Sequence, residues 1–456
     1  MTSDFAEAPS LARAVTLWRN GSHADAQRMC EEIVADREDP GALNMLAEIY
    51  ANARQTDASI AILLRLATVL PTDASVFRRL GNAYQSKGNF TDAEASYRTA
   101  LELEPRNVRA HNNLGQTFMQ VGKLAEARRS FERAIELEPR YAIAHNNLGI
   151  ALHRQGEFEQ AVAAYERALE IEPAFTQAHH NRGNTLLALN RPEEALACFD
   201  QVLALNPNAV EALYSRGNSL LQLKRREDAV ASFERALKHE PDHVDALNNC
   251  ASTLLELKRP EDALSYADHA ITVNPRMAKA YNNRGGAFRA LRRYDEAAKD
   301  CERALELEPE YAEAVSNLAN VRLACNHLAE GIAYCDEAIR IKPGLVEAHA
   351  QRAEALSMAR QFDEATRAYE RLLELAPDHK FAKGALLGVR LSRCDWDRYE
   401  ESCAQVTQAL REGRLAIQPL IMLTTTDAPE LQLICAQTFI EDQTPGSARS
   451  GRKLSA

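Results

Sequence analysis

Side-chain amides recur in this chain at a fixed interval. Asn113, Asn147, Asn181, Asn249, Asn283 and Asn317 share one 34-residue register. A second set, Asn82, Asn184, Asn218 and Asn320, lies three residues further along the same register. The first row is broken at Arg79, Ser215 and Gln351. A carboxamide offers two N–H donors and a carbonyl acceptor, so it can pair with a peptide backbone without reading side chains. A row of them, one per interval, would clamp an extended peptide and tolerate many sequences. The same row could instead serve only to join neighbouring helices, and the sequence leaves both readings open.

Other reactive groups do not converge. His111, His145, His179 and His349 also repeat on the register. Equivalent positions on packed helices lie roughly 10 Å apart, too far for two of them to hold one metal. Gly285-Gly286 falls within a helical pattern rather than after a strand, so it cradles no phosphate. No GxSxG elbow occurs. Glu193-Glu194, Glu400-Glu401 and Lys224-Arg225-Arg226 read as solvated faces and turns. No catalytic set, cofactor site or metal site is expected.

The elements behind the register are marked by ten prolines spaced 34 residues apart, from Pro71 to Pro377. Nine regular units begin three residues after a proline, at Ala74, Val108, Ala142, Thr176, Val210, Val244, Ala278, Ala312 and Val346. The eighth position is Gly81, Gly115, Gly149, Gly183, Gly217 and Gly285, or Ala251, Ala319 and Ala353. Glycine inside a helix costs about 1 kcal/mol relative to alanine, so its recurrence implies a close crossing by a second helix. Small residues at the twentieth position, Ala93 to Ala365, supply the other side. Aromatics four residues on, such as Tyr97, Phe131, Tyr165 and Phe199, are expected to fill the groove between hairpins. Tyr266 and Tyr334 are expected to do so from one residue earlier. Gly88, Gly122 and Gly156 mark the turn within each hairpin, replaced later by Asn190, Lys224 and Lys258. Each proline ends the second helix. Two looser hairpins precede the array: Leu11 to Trp18 with Ala24 to Val34, then a unit closing at Pro71. After Pro377 helices are expected at Phe381–Ser392, Tyr399–Arg411 and Pro429–Phe439, with Asp395 as a cap. The expected division is 1–73, 74–379, 380–442 and a disordered tail at 443–456.

Of 456 residues, 46% are apolar and 26% charged, with a formal net charge of -11. That balance argues against a general nucleic-acid binder, which needs a basic footprint. The nine cysteines include no CxxC pair, so a reducing, cytoplasmic compartment is expected, without disulfides or zinc. Met1 to Val15 lacks the layout of a secretory signal. No run of 18 apolar residues is present to span a membrane.

A 34-residue helix–turn–helix period with these residues identifies the array as tetratricopeptide repeats. The resemblance implies an all-α, right-handed superhelical solenoid. It puts positions two, six, nine and thirteen, including all ten asparagines named above, on a concave face that binds proteins or extended peptides. Family members often pair through the convex face, which makes a homodimer the expectation should this chain self-associate. Chaperone-adaptor repeats grip a C-terminal carboxylate with asparagines and cations. Asn218, Asn249 and Lys279 fit that pattern, but Tyr214 and Asn283 break it. Asn112-Asn113-Leu114-Gly115 and Asn146-Asn147-Leu148-Gly149 resemble the repeat region of protein O-linked N-acetylglucosamine transferases. Cys394-Asp395-Trp396, a Pro419-Leu420 apolar segment and Asp427-Ala428-Pro429-Glu430-Leu431-Gln432-Leu433 with Ala436 resemble the junction into the catalytic region of bacterial members. The implied role is a substrate-recognition arm. No sugar-nucleotide site accompanies it, so this chain alone is expected not to be an enzyme. The alternative is a stand-alone scaffold that assembles a complex.

Overall fold

The computed structural model describes residues 10–443, apart from 398 and 424. Among the described residues there are twenty-six α-helices and no strand. Each regular repeat is a pair. The first begins with Ala74–Lys87 and returns through Phe90–Leu103; the ninth uses Val346–Met358 and Phe362–Leu375. Side chains placed by the sequence start several of them: Asp39, Asp73 and Asn107 accept from the backbone N–H groups of Ala42, Ser75 and Ala110. The chain is thus an all-α array of tetratricopeptide hairpins.

Two compact units divide it, one up to Arg225 and one from Arg226 onward. The first holds both looser hairpins (Leu11–Arg19 with His23–Asp36, and Pro40–Asn52 with Thr56–Val69), four complete regular repeats and the helix Val210–Gln222. The second opens with Arg226–His239 and continues through the remaining repeats. The boundary falls at a hairpin turn, where Lys224 takes the left-handed conformation (φ 57°). Asn190 and Lys258 do the same at φ 56° and 58°, where earlier hairpins use Gly88, Gly122 and Gly156.

At four of the eighth-position glycines the close neighbour is a ring, whereas a Cβ on Gly285 would meet Cys301 and the Ala297 backbone carbonyl of the crossing helix at 3.1 and 3.2 Å. A Cβ on Gly81 would stand 2.6 Å from the Tyr97 ring, and on Gly149 it would stand 2.5 Å from the Tyr165 ring. Gly115 and Gly183 meet Phe131 and Phe199 in the same way. The aromatic therefore lies over the glycine of its own hairpin, and Tyr97 also shares a core with Leu114 and Phe118 of the next hairpin. Ring and glycine form one volume. Where the ring is lost the slot is filled differently: Ala267 follows Ala251, and Cys335 follows Ala319, all four buried. Tyr266 and Tyr334, expected to substitute for the ring, are only half-buried beside those slots. The Tyr266 hydroxyl instead donates to Glu234 at 3.0 Å.

Beyond the ninth repeat come Ala382–Ser392, Tyr399–Arg411, Pro419–Met422 and Pro429–Gln443. Val406, Leu410, Ile417, Met422 and Cys435 form their own apolar core. The segment is tied back to the helix at Ala382 by backbone bonds from Phe381 N–H to Leu415 (2.6 Å) and Gly384 N–H to Ala416 (2.9 Å). The Asp395 carboxylate accepts from the Asp397 N–H, two residues on, and shapes the turn before Tyr399. The expected tail lies outside the described residues, except Gln443, which ends the last helix.

Candidate peptide-binding face

The position-six asparagines do not stand alone. Asn147 Nδ2 donates to Asn112 Oδ1 at 2.9 Å, and Asn181 donates to Asn146 at 3.0 Å. In the second unit Asn283 donates to Asn248 and Asn317 to Asn282, both at 2.8 Å. Each bond runs from position six to position five of the preceding repeat. Between Ser316 and Gln351 the direction reverses, the Ser316 hydroxyl donating to Gln351 Oε1 at 3.0 Å, and Arg79 extends the row backward to Asn44. Asn113 follows an arginine at that preceding position five, Arg78, and turns to Asn82 Oδ1 at 2.8 Å. A second set of contacts lies within repeats, from Asn112 to Asn113 (3.2 Å) and from Asn146 to Asn147 and Asn248 to Asn249 (both 3.4 Å).

The result is an amide ladder in each unit. Its inner rungs, Asn112, Asn146, Asn248 and Asn282, are buried. Its outer rungs, Asn113, Asn181, Asn249, Asn283 and Asn317, are half-exposed, while Asn147 is buried. Asn147, Asn181 and Asn317 donate to the preceding repeat, Asn283 Nδ2 reaches both the backbone and the side-chain oxygen of Asn248, and Gln351 accepts from Ser316. Among the position-nine residues, Asn82 is taken up by Asn113 and by the Tyr97 hydroxyl (2.7 Å). Asn184, Asn218 and Asn320 are half-exposed on the same helices. The inner rungs escaped the sequence reading, although the doublets Asn112-Asn113, Asn146-Asn147, Asn248-Asn249 and Asn282-Asn283 were the visible signal.

Charges reinforce the repeat joints. Position seven, apolar in Leu80, Leu114 and Leu148, is arginine at Arg182, Arg216, Arg284 and Arg352. These reach Glu166, Asp200, Asp268 and Asp336 of the preceding second helix at 2.7, 2.7, 2.8 and 2.5 Å. Arg284 also makes a two-pronged contact with buried Asp300 at 2.7 Å, and this bond, with Asp268, holds its pKa above the usual range. The register histidines are structural too. His111, His145, His179 and His349 each place Nε2 within 2.9–3.0 Å of the carbonyl of the proline six residues earlier. Tyr281 does likewise toward Pro275 at 3.3 Å. Among the described residues no group of three His, Cys, Asp or Glu side chains could hold a metal ion. No described helix is long and apolar enough to cross a membrane.

Tetratricopeptide-repeat family models match residues 11–74, 114–174 and 216–272, and others of the same description match 81–122, 152–217, 278–311 and 346–379. The chain belongs to the tetratricopeptide-repeat proteins. No curated protein matches it. Among solved structures it is similar to MamA, at 26% identity over 36% of this chain and 95% of that one, with a TM-score of 0.34. It is similar to YrrB, described as a TPR protein with an unusual peptide-binding site, at 24% identity over 40% and 95% of the two chains and a TM-score of 0.36. It is also similar to yeast Tom70, at 15% identity over 85% and 95% and a TM-score of 0.41.

Proposed function

We propose that this chain binds extended peptide segments of other proteins along the face that carries the asparagine ladder. The observation that supports this is the oriented, half-exposed amide: Asn181 and Asn317 are each held by a bond to the preceding repeat while part of the side chain faces solvent, where a peptide backbone could meet it. Orientation before binding reduces the ordering cost that a flexible amide would incur. Asn113, Asn147, Asn181, Asn249, Asn283 and Asn317 form the row, with Asn82, Asn184, Asn218 and Asn320 beside it. Backbone pairing would give tolerance of sequence.

The test uses the full chain. Asn184, Asn320, Asn181 and Asn283 are replaced by alanine, and affinity for a library of unfolded peptides is measured beside the helical signal. Lost binding with intact helicity is expected; unchanged binding refutes the groove reading.

The finer reading is a substrate-recognition arm like that of protein O-linked N-acetylglucosamine transferases. It is supported by the doublet motifs and by the segment from Cys394 to Ala436. An antibody to the array, applied to source cells, checks it. A product well above 50.6 kDa that transfers N-acetylglucosamine is expected, and a product of that mass without transfer refutes it. A stand-alone scaffold is the second reading. It is supported by the separate apolar core of Val406, Leu410, Ile417, Met422 and Cys435 after the last repeat.

A further inference from the structure

One first helix of the first unit departs from an otherwise polar face. Positions two, six, nine and thirteen follow one another every three or four residues, so they form a stripe along one side of a helix. In the helix Ala142–Arg154 that stripe reads Ile143, Asn147, Ile150 and Arg154. In the other four regular first helices of the unit every one of these positions is polar except Ala188. Ile143 is 43% exposed, and Ile150 packs partly on the core beneath it and stays half-exposed. Isoleucine is a poorer helix former than the glutamines and arginines of the neighbouring stripes, so helix propensity does not account for the pair. The two stand about 10 Å apart along the axis, the rise of seven residues. Asn147 lies between them, and of the six position-six asparagines it alone is buried, its amide turned to Asn112 and Asn146. At this repeat the row offers solvent two aliphatic side chains in place of an amide.

The charge around the pair is equally particular. Arg154 follows Ile150 by one turn, and Arg109 holds position two of the preceding repeat, next to Ile143 at the roughly 10 Å spacing of packed helices. Both arginines are exposed, and among the described residues neither has a carboxylate partner. Arg154 reaches only the Met119 carbonyl, at 3.4 Å. Arg79 adds a third cation to the stripes of this unit, against the single carboxylate of Glu211. In the second unit the same positions hold Asp245, Glu256, Glu313, Glu347 and Glu354 against Lys279. A chain of net charge -11 therefore carries cations on this face in its first unit, against its own overall sign.

We infer that the first unit selects a peptide segment in which an aliphatic side chain is flanked by carboxylates. The aliphatic group rests on Ile143 and Ile150, and the carboxylates meet Arg109 and Arg154. The inference rests on the peptide-binding reading above and supplies a selectivity that backbone pairing lacks. Nucleic acid fits these stripes less well, because none of their positions in this unit is aromatic and no base-stacking platform accompanies the arginines.

The probes are short fluorescein-labelled Gly/Ser peptides with one leucine between two pairs of aspartates, titrated with the full chain and read by anisotropy. Replacing the leucine by asparagine should weaken binding about tenfold, the loss expected for a largely buried aliphatic side chain. Replacing the aspartates by asparagine should weaken it about two- to fivefold, as for exposed ion pairs, and added salt should remove that difference. The protein variants use residues that nearby repeats already carry at these positions, Gln177 at two, Gln116 at nine and Gln120 at thirteen, so the fold is expected to tolerate them. Ile143→Gln with Ile150→Gln should abolish the leucine preference and keep the aspartate preference. Arg109→Gln with Arg154→Gln should do the reverse. Peptides that bind with neither preference overturn the inference and leave the groove reading standing. Preferences that persist in both double variants also overturn it, since another surface then carries them. No binding of any peptide, charged or neutral, refutes the groove reading and the inference together. Tighter binding of a single-stranded oligonucleotide overturns it in favour of nucleic acid. Self-association that Ile143→Gln with Ile150→Gln abolishes overturns it in favour of a second copy.

Discussion

Replacing Asn147 by alanine should separate what the ladder contributes to stability from what it contributes to binding. Asn147 is 7% exposed and its donor bond ends on Asn112, itself 2% exposed. The substitution removes the 2.9 Å bond to Asn112 and the longer 3.4 Å contact from Asn146. A made hydrogen bond contributes only about 1 kcal/mol net, but a buried carbonyl left without its donor costs about 1–3 kcal/mol. Asn112 Oδ1 is the group stranded, so a loss of about 1–3 kcal/mol is expected. The double substitution Asn112→Ala with Asn147→Ala removes the stranded group as well. Its cost should fall short of the sum of the singles by about 1 kcal/mol or more. Asn320→Ala, at a half-exposed position, should stay within about 0.5 kcal/mol. Urea unfolding followed by circular dichroism gives the global effect. Hydrogen exchange in the repeats holding Asn112 and Asn147 gives the local one, which matters because repeat arrays open in parts. If Asn147→Ala is neutral and the double substitution is additive, the ladder carries no structural load and the reasoning fails.

Gly149→Ala sets an added methyl 2.5 Å from the Tyr165 ring, so crowding of about 1–3 kcal/mol should outweigh a helix-propensity gain of about 1 kcal/mol. Gly286→Ala meets only the Leu255 methyl at 3.1 Å and should be neutral or mildly stabilising, so thermal melts of the two should shift differently. Burial raises the thiols of Cys250, Cys301 and Cys335 to about 12, whereas Cys325 and Cys394 are exposed. Labelling with a thiol reagent at pH 8 should therefore mark Cys325 and Cys394 quickly and the three buried thiols only on unfolding. Burial lowers the pKa of His111, His153 and His180 below the usual 6.5. The unfolded chain then takes the proton first, so the stability of these neutral imidazoles is whole above about pH 6.5 and declines as pH falls through the lowered values. Unfolding midpoints measured from pH 7 to 5 should fall, and replacing the three histidines by glutamine should flatten that slope.

Much of the fold was legible because a repeat repeats its constraints. The ten prolines end helices, since a ring without an N–H cannot continue one, and that needs no tertiary knowledge. The small residues at positions eight and twenty signalled close packing for the same reason. Which group approaches the glycine was not legible. Spacing alone cannot tell a ring of the same hairpin from the backbone of a crossing helix; the structure has the ring at Gly81, Gly115, Gly149 and Gly183, and Cys301 with the Ala297 carbonyl at Gly285. Tyr266 and Tyr334 show the same limit: one residue on a helix turns a side chain by about 100°, enough to move a ring out of its slot.

The asparagine row divides along the same line. The sequence by itself determined that an asparagine stands at one face in six of nine repeats, because a fixed period places equal positions on equal faces. Only the tertiary structure decided which hydrogen bonds those amides make, because the partners lie 35 residues away in Asn147, Asn181, Asn283 and Asn317 and belong to the preceding repeat. A hydrogen bond depends on distances of a few tenths of an ångström, and periodicity fixes direction, not distance.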